Sequence, residues 1–375
     1  MATTLDVTHS SRVSLKKGLV TSEPYCRVLQ HKGGQAFERR PLMWPTPLDL
    51  PELVEQHDPA RPPMVSSDVH VHFVKDVLVG GYGGHLLKDG RYLVNQDSYP
   101  FYVANWIEND LSRSHWAVEP KTVTRVLEPV YVISHFNPIY GHWLLEILPK
   151  LFSIADLVRK GVVRPIVVPS WMPKLVSETI ALIVPECPIL TYDWVSEGLH
   201  LRRAILPGMM QHQYVFNRAF HAELDRFLRP FRAEPGPPAI FVSRTGLEGK
   251  FRTLDNADAL DETAARLGLT VIRPEELAWT EQLRLFASAK LIVGEFGSGL
   301  HNALFSPAGT KVVCLNVVTD VQSRIANSFG HDMGILLAAD GAPRLFEKHW
   351  TVQQSYSIDL RAFEDRIAPL MAALA

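Results

Sequence analysis

The segment Leu291-Ile-Val-Gly-Glu-Phe-Gly-Ser-Gly-Leu-His-Asn-Ala-Leu-Phe305 runs from an apolar strand pattern through three closely spaced glycines into a helical pattern. Gly294, Gly297 and Gly299 would let the backbone turn tightly and approach a ligand without Cβ obstruction. A helix opening near Leu300 would add unpaired N–H groups and a positive dipole end. That chemistry suits an anion, and a nucleotide diphosphate is the natural guest. The spacing is G-x-x-G-x-G late in the chain, whereas a dinucleotide fingerprint wants G-x-G-x-x-G in an early βα turn. Read alone, the loop fits a phosphate cradle and a plain tight turn alike. Ser298, His301 and Asn302 are its polar side chains.

A second cluster is Ser134-His-Phe-Asn-Pro-Ile-Tyr-Gly-His-Trp-Leu-Leu-Glu-Ile-Leu-Pro149. His142 and Glu146 are four apart, which puts them on one helical face as a base and its orienter. Asn137, Tyr140 and Trp143, with Phe136, would offer polar and apolar contacts to a sugar acceptor. The competing reading is structural: the His–Glu pair stabilises a helix, and Trp143 belongs to the core. Asp68-Val-His70-Val-His72 has strand spacing that can hold zinc. It lacks later partners at metal spacing, and an exposed strand face explains it, so no metal is expected. No Asp-x-Asp pair or G-x-S-x-G elbow accompanies these clusters.

The elements that must position them fall into two series. At 375 residues the chain is long for one core at about 100–200 residues per domain. A hydrophobic share of 46% with 21% charged residues excludes disorder. The net charge of −2 gives no global field for nucleic acid. Three separated cysteines make no disulfide framework or zinc ribbon, and no window is long enough to span a membrane. A proline-rich extension over residues 1–64 is expected to wrap over a domain surface. Residues 65–231 carry a β-rich section with a hairpin turn at Asp89-Gly90, then strands and helices in alternation, ending in a helix over 212–231. Residues 232–238, Arg-Ala-Glu-Pro-Gly-Pro-Pro, read as a linker. Residues 239–345 alternate cleanly between strand and helix, with Asn256 as an N-cap and Gly268 closing the helix between them. Such alternation builds a parallel sheet. Residues 346–375 end in an amphipathic helix that packs back.

In an open parallel sheet, ligands gather beyond the carboxyl ends of the strands. Those ends carry Ser243-Arg244, then Pro274-Glu275-Glu276, then the glycine loop. Arg244 would meet the charge of a diphosphate leaving group, with Lys250 and Arg252 as seconds. Glu275 or Glu276 would accept from ribose hydroxyls.

Asn137 to Pro149, Ser243-Arg244 with Arg252 and Asn256, Pro274-Glu275 with Glu281-Gln282, and Gly294 to Phe305 together resemble family 61 glycosyltransferases. The resemblance spans about Glu128 to Asn316. Phe296, Ser298 and His301 depart from the family's commoner histidine, alanine and small residue. The resemblance implies a GT-B architecture, with two Rossmann-like doubly wound parallel-sheet domains facing a cleft. It also implies a nucleotide sugar held by the C-terminal domain and inversion at the anomeric carbon. No cofactor is then expected beyond the donor substrate, for which a UDP link is expected.

The expected function is metal-independent transfer of a sugar to a glycan or lipid-linked saccharide hydroxyl, in capsule or exopolysaccharide synthesis. Glu146 or His142 would act as base. Ser243, Arg244, Arg252, Glu275, Gly297, Ser298, Gly299, His301 and Asn302 would hold the donor. The alternatives are a polysaccharide pyruvyltransferase and a non-catalytic carbohydrate-binding protein. A dinucleotide-dependent oxidoreductase is disfavoured by the glycine spacing. The expected location is the cytoplasm, with peripheral attachment at the inner membrane left open.

Overall fold

The computed structural model describes residues 13–15, 26–45, 55–89, 91–95, 120–134, 136–137, 139–234, 236–247, 252–316, 319–341 and 354–374. The chain divides into two compact units, one of residues 1–35 and 66–224, the other of residues 36–65 and 225–375. The division falls inside the helix Arg218–Arg232 and not at the 232–238 stretch, because the second half of that helix packs with the later residues. Phe227 stacks on Trp279, with centroids 5.9 Å apart.

The second unit is built on a five-stranded parallel sheet. Its spatial order is Thr270–Ile272, Ala239–Val242, Leu291–Glu295, Lys311–Leu315, Asp332–Leu336. In chain order that is 2-1-3-4-5, a doubly wound arrangement whose direction of winding reverses between the first and third strands. Ala239–Val242 and Leu291–Glu295 are buried along their whole length. Helices cover both faces of such sheets, so their strands read as unbroken apolar runs rather than alternating ones. The helix Ala257–Arg266 is closed by Gly268 in the left-handed region at φ 92°, where a Cβ would be strained. Asn256 stands at the N-cap position without capping. Its amide instead exchanges two hydrogen bonds with the Ile358 backbone, tying the C-terminal segment to this unit. The final helix, Leu360–Ala372, then buries Phe363 and Ile367 in the same core as Phe241 and Leu260.

The first unit departs from the expected parallel domain. Its sheet has ten strands among the described residues and is mixed. The long strands Val69–Gly80 and Glu197–Leu206 run antiparallel from His72 against Leu206 to Gly80 against Gly198. Val130–Val132, Ile166–Pro169 and Ile189–Tyr192 continue in parallel on the other side. The β-rich section is therefore part of this sheet and not a separate module. The hairpin joins His85–Lys88 to Arg91–Asn95 with Lys88 opposite Arg91 and Asp89 at φ 51°; Gly90 lies outside the described residues. The expected strand at 122–134 is two strands, Thr122–Val126 and Val130–Val132. The helix expected over 212–231 begins only at Arg218, because Gln211–His212 and Val215–Phe216 form a tight hairpin.

Much of the N-terminal extension lies outside the described residues, but residues 36–45 extend the second unit. Met43 N–H donates to the Met333 carbonyl at 2.8 Å, and Arg40 pairs with Asp332. Trp44 Nε1 donates to the Ile335 carbonyl at 2.8 Å. Its ring lies against Gly334, where a Cβ would fall 2.3 Å from Cη2. These contacts cover the edge strand Asp332–Leu336, whose unpaired backbone would otherwise invite association. Trp44→Ala is expected to destabilise the second unit by about 3–5 kcal/mol, read as a lower urea midpoint.

Candidate functional site

Two clusters bring together residue types capable of chemistry, one in each unit. In the second unit, the strands Ala239–Val242 and Leu291–Glu295 are neighbours at the point where the winding reverses. Both carboxyl ends therefore open at one place, the location where α/β sheets bind ligands. Ser243-Arg244 leaves the first strand and the glycine loop leaves the second, and the two touch. A Cβ on Gly297 would sit 2.2 Å from Arg244 Nη1, so the guanidinium crosses the bare backbone there.

The glycines work differently from the expectation. Gly294, Gly297 and Gly299 are not among the residues at positive φ; they are needed for close approach. At Gly294 a Cβ would lie 2.8 Å from Val242 Cβ and 2.9 Å from its carbonyl oxygen. The following helix is a six-residue 3₁₀ segment, Leu300–Phe305, too short for the dipole attributed to an α-helix there.

The Arg244 loop is held by a polar network. Ser243 is buried, and its Oγ donates to Asp261 Oδ2 at 2.8 Å while accepting from Thr245 N–H at 3.1 Å. Arg273 bonds the same Asp261 oxygen at 3.2 Å and the Thr245 carbonyl at 3.1 Å. Ser243 therefore fixes the loop that presents Arg244. Asn302 is wholly buried and donates to Gln282 Oε1 at 2.9 Å. Gln282 in turn donates to the carbonyls of Pro274 and Leu277. Asn302 thus couples the glycine loop to the Pro274–Glu276 turn, where Glu275 and Glu276 are exposed. His301 is buried, its Nδ1 2.9 Å from Gln322 Oε1 and its ring edge-on to Phe296. Ser298 is half-buried. Arg252 opens a strand that pairs in parallel with Gln354–Tyr356; its side chain, like Lys250, lies outside the described residues.

Sequence reasoning did not single out Asp261, Thr245, Arg273 or Gln322. Nor did it single out Glu295, a buried carboxylate at the strand end that accepts from Tyr356 Oη at 2.7 Å.

In the first unit a helical run of Tyr140–His142, Trp143–Ile147 and Leu148–Arg159 follows the strand Val130–Val132. Its middle is a π turn, with Leu148 N–H bonding the Trp143 carbonyl. Such widened turns disturb the regular carbonyl pairing and recur at functional sites. Gln211 Nε2 donates to the Leu145 carbonyl within it at 3.1 Å.

His142 Nδ1 lies 2.9 Å from Glu146 Oε1. The imidazole is 22% exposed and the carboxylate 1%, so only the histidine reaches solvent appreciably. One turn further on, Lys150 is completely buried and donates to the Ser134 carbonyl at 2.6 Å. Burial pulls its pKa down to about 7, against an opposing pull from the Glu146 charge. The signal for it in the sequence is a lysine on the apolar stripe that includes Ile147 and Leu151.

Trp143 belongs to the apolar core with Tyr131 and Ile147, so the ring is packed away rather than offered as a sugar platform. Its Nε1 has no hydrogen-bond partner among the described residues. Tyr140 packs at the edge of that core, and Asn137 Oδ1 accepts from Ile139 N–H at 2.9 Å.

His72 is buried, not on an exposed face, and desolvation with the neighbouring His70 lowers it to about 4. Asp68 accepts from Gly34 N–H at 2.9 Å. Among the described residues no group of three or more His, Cys, Asp or Glu is placed to hold a metal ion. Nor is any helix among them long and apolar enough to cross a membrane.

The Glycosyltransferase 61 family model matches residues 140–313, so the chain carries a family 61 glycosyltransferase region over that span. The region contains His142, Glu146, Lys150, Arg244 and the glycine loop. The chemistry of such enzymes is transfer of a sugar from a donor to an acceptor. No curated protein matches the chain. Among solved structures, the E. coli heptosyltransferase WaaC with ADP is similar at 10% identity and a TM-score of 0.29, over 66% of this chain and 99% of that one.

Gly294→Ala should cost about 1–3 kcal/mol, because it meets backbone that cannot move. Gly297→Ala should leave the melting temperature near that of the wild type, because it meets the far end of a flexible side chain; thermal melts check both. Lys150 has its folded pKa below its unfolded value. Its cost to stability is therefore fully present below pH 7 and is relieved as pH rises from about 7 toward the unfolded lysine value of about 10.4. The stability of the wild type minus that of Lys150→Met should rise across that window, measured by urea titration at several pH values.

Proposed function

We propose that the chain is an inverting glycosyltransferase that uses a nucleoside-diphosphate sugar, with UDP as the expected nucleotide. Its labour is divided in the GT-B manner: donor binding on the second unit, acceptor activation on the first. The observation that carries the reading is the crossing of Arg244 over Gly297 at the point where the sheet's winding reverses, inside the family-matched region. A permanent cation anchored there suits a diphosphate, whose charge grows as the sugar leaves.

The acceptor hydroxyl loses its proton to the His142–Glu146 pair, and its oxygen bonds to the anomeric carbon. The bond from that carbon to the β-phosphate oxygen breaks with its electrons leaving on the nucleoside diphosphate. Arg244 stabilises that leaving group without a metal. Glu275 or Glu276, exposed beside the loop, is assigned to the ribose hydroxyls. Asn137 and Tyr140 lie near the first unit's pair in sequence and are assigned to the acceptor, a glycan or lipid-linked saccharide of capsule or exopolysaccharide synthesis. A cytoplasmic enzyme meeting its acceptor at the inner membrane fits this reading.

A thermal-shift panel tests it, because a ligand that binds only the native state raises the midpoint. UDP should stabilise the wild type and fail to stabilise Arg244→Ala, and Gly297→Ala should show a reduced shift. Sugar transfer should fall by about 10²–10³ in Arg244→Ala. Stabilisation by NAD or phosphoenolpyruvate and not by any nucleoside diphosphate would replace this function with an oxidoreductase or a pyruvyltransferase.

A further inference from the structure

The His142–Glu146–Lys150 series deepens that reading and rests on it where it assigns a catalytic part. The three residues stand at successive i, i+4 positions of one helical run, and burial increases along it. His142 is partly open, Glu146 is almost sealed and Lys150 is sealed. A carboxylate so deep is costly unless a charge or a hydrogen bond answers it. Among the groups that answer Glu146 are the imidazole at 2.9 Å and the lysine, whose pKa responds to the carboxylate's charge. Lys150 is itself anchored to the Ser134 carbonyl at the end of the strand before the helix. A long side chain with several rotamers thereby acquires one position.

We propose that Lys150 is a positioning residue whose side chain, when charged, balances the buried carboxylate of Glu146 one turn away. Glu146 then holds the Nδ1–H tautomer of His142, so that Nε2 is the nitrogen that takes the acceptor's proton. A carboxylate accepts hydrogen bonds and cannot donate them, so the Nδ1 facing it must carry hydrogen. In the neutral ring the lone pair then lies on Nε2. This assigns the base to His142 and makes Glu146 its orienter, choosing between the two candidates the spacing alone leaves equal.

The test is ¹⁵N NMR of histidine-labelled full-length protein, with the His142 signals identified by their loss in His142→Gln. The wild type should show a pyrrole-type Nδ1 and a pyridine-type Nε2. Lys150→Met should reduce that tautomer preference by about tenfold, the change equal to one pK unit of lost interaction. Lys150→Gln keeps a donor for the Ser134 carbonyl but removes the charge; it should do the same, and is the variant read if Lys150→Met does not fold. Stabilisation by UDP, unchanged from wild type, serves as the control for a folded second unit. If the charge-removing variant keeps the wild-type tautomer, the inference is wrong while the sugar-transfer reading stands. If the tautomer responds but UDP does not stabilise the wild type, Lys150 positions His142 as stated and the sugar-transfer reading fails.

Discussion

The second unit depends on backbone left bare at two points along one strand and its loop. Gly294 lets Leu291–Glu295 lie against Val242, and Gly297 lets Arg244 cross the loop that follows. A side chain at the first would push apart the two strands that meet where the winding reverses. A side chain at the second would push the guanidinium away from where those strands end. The network of Ser243, Thr245, Asp261 and Arg273 answers the same need from the other side. Those four polar groups hold one short loop, and with it the backbone that carries Arg244, in a single arrangement.

The first unit solves a different problem, that of keeping ionisable groups inside a helix packed on a sheet. The widened turn at Trp143–Ile147, bonded by Gln211, lies between His142 and the regular helix beyond. Burial then grades the three groups: the histidine stays close to solvent, and the lysine is held by a strand-end carbonyl. The low polarity around Glu146 and Lys150 strengthens every interaction among them. It also makes the loss of any one of them costly to the rest.

Local pattern made much of the second unit legible. Thr270–Ile272 and Lys311–Leu315 were readable to the residue, and so was Lys174–Ile183 in the first unit, because unbroken apolar runs and helical spacing are short-range signals. The direction of the strands in the first unit was not readable. The pairing of Val69–Gly80 with Glu197–Leu206 joins residues more than a hundred positions apart, and an alternating strand looks the same in either orientation. The hairpin at 211–216 turns through Gln213 and Tyr214, both at positive φ and neither a residue type that announces a turn. At the site, His142–Glu146 followed from helical spacing. Lys150 did not, because lysine is normally read as a surface residue. The glycines matter for their size, as their spacing implies, but through close approach and not through positive φ. What they make room for comes from a strand about fifty residues earlier, so the reason for them is tertiary.

The cover that Trp44 and Arg40 place on the strand Asp332–Leu336 has a bearing on how the chain matures. Residues 36–45 leave the ribosome almost three hundred positions before the strand they complete. They cannot take up their final place while the first unit is being made, and the late sheet edge has its guard waiting upstream. Synthesis from the N-terminus favours units that finish in order. This chain instead defers an early segment to a late partner, so its second unit closes only after the strand Asp332–Leu336 has been made.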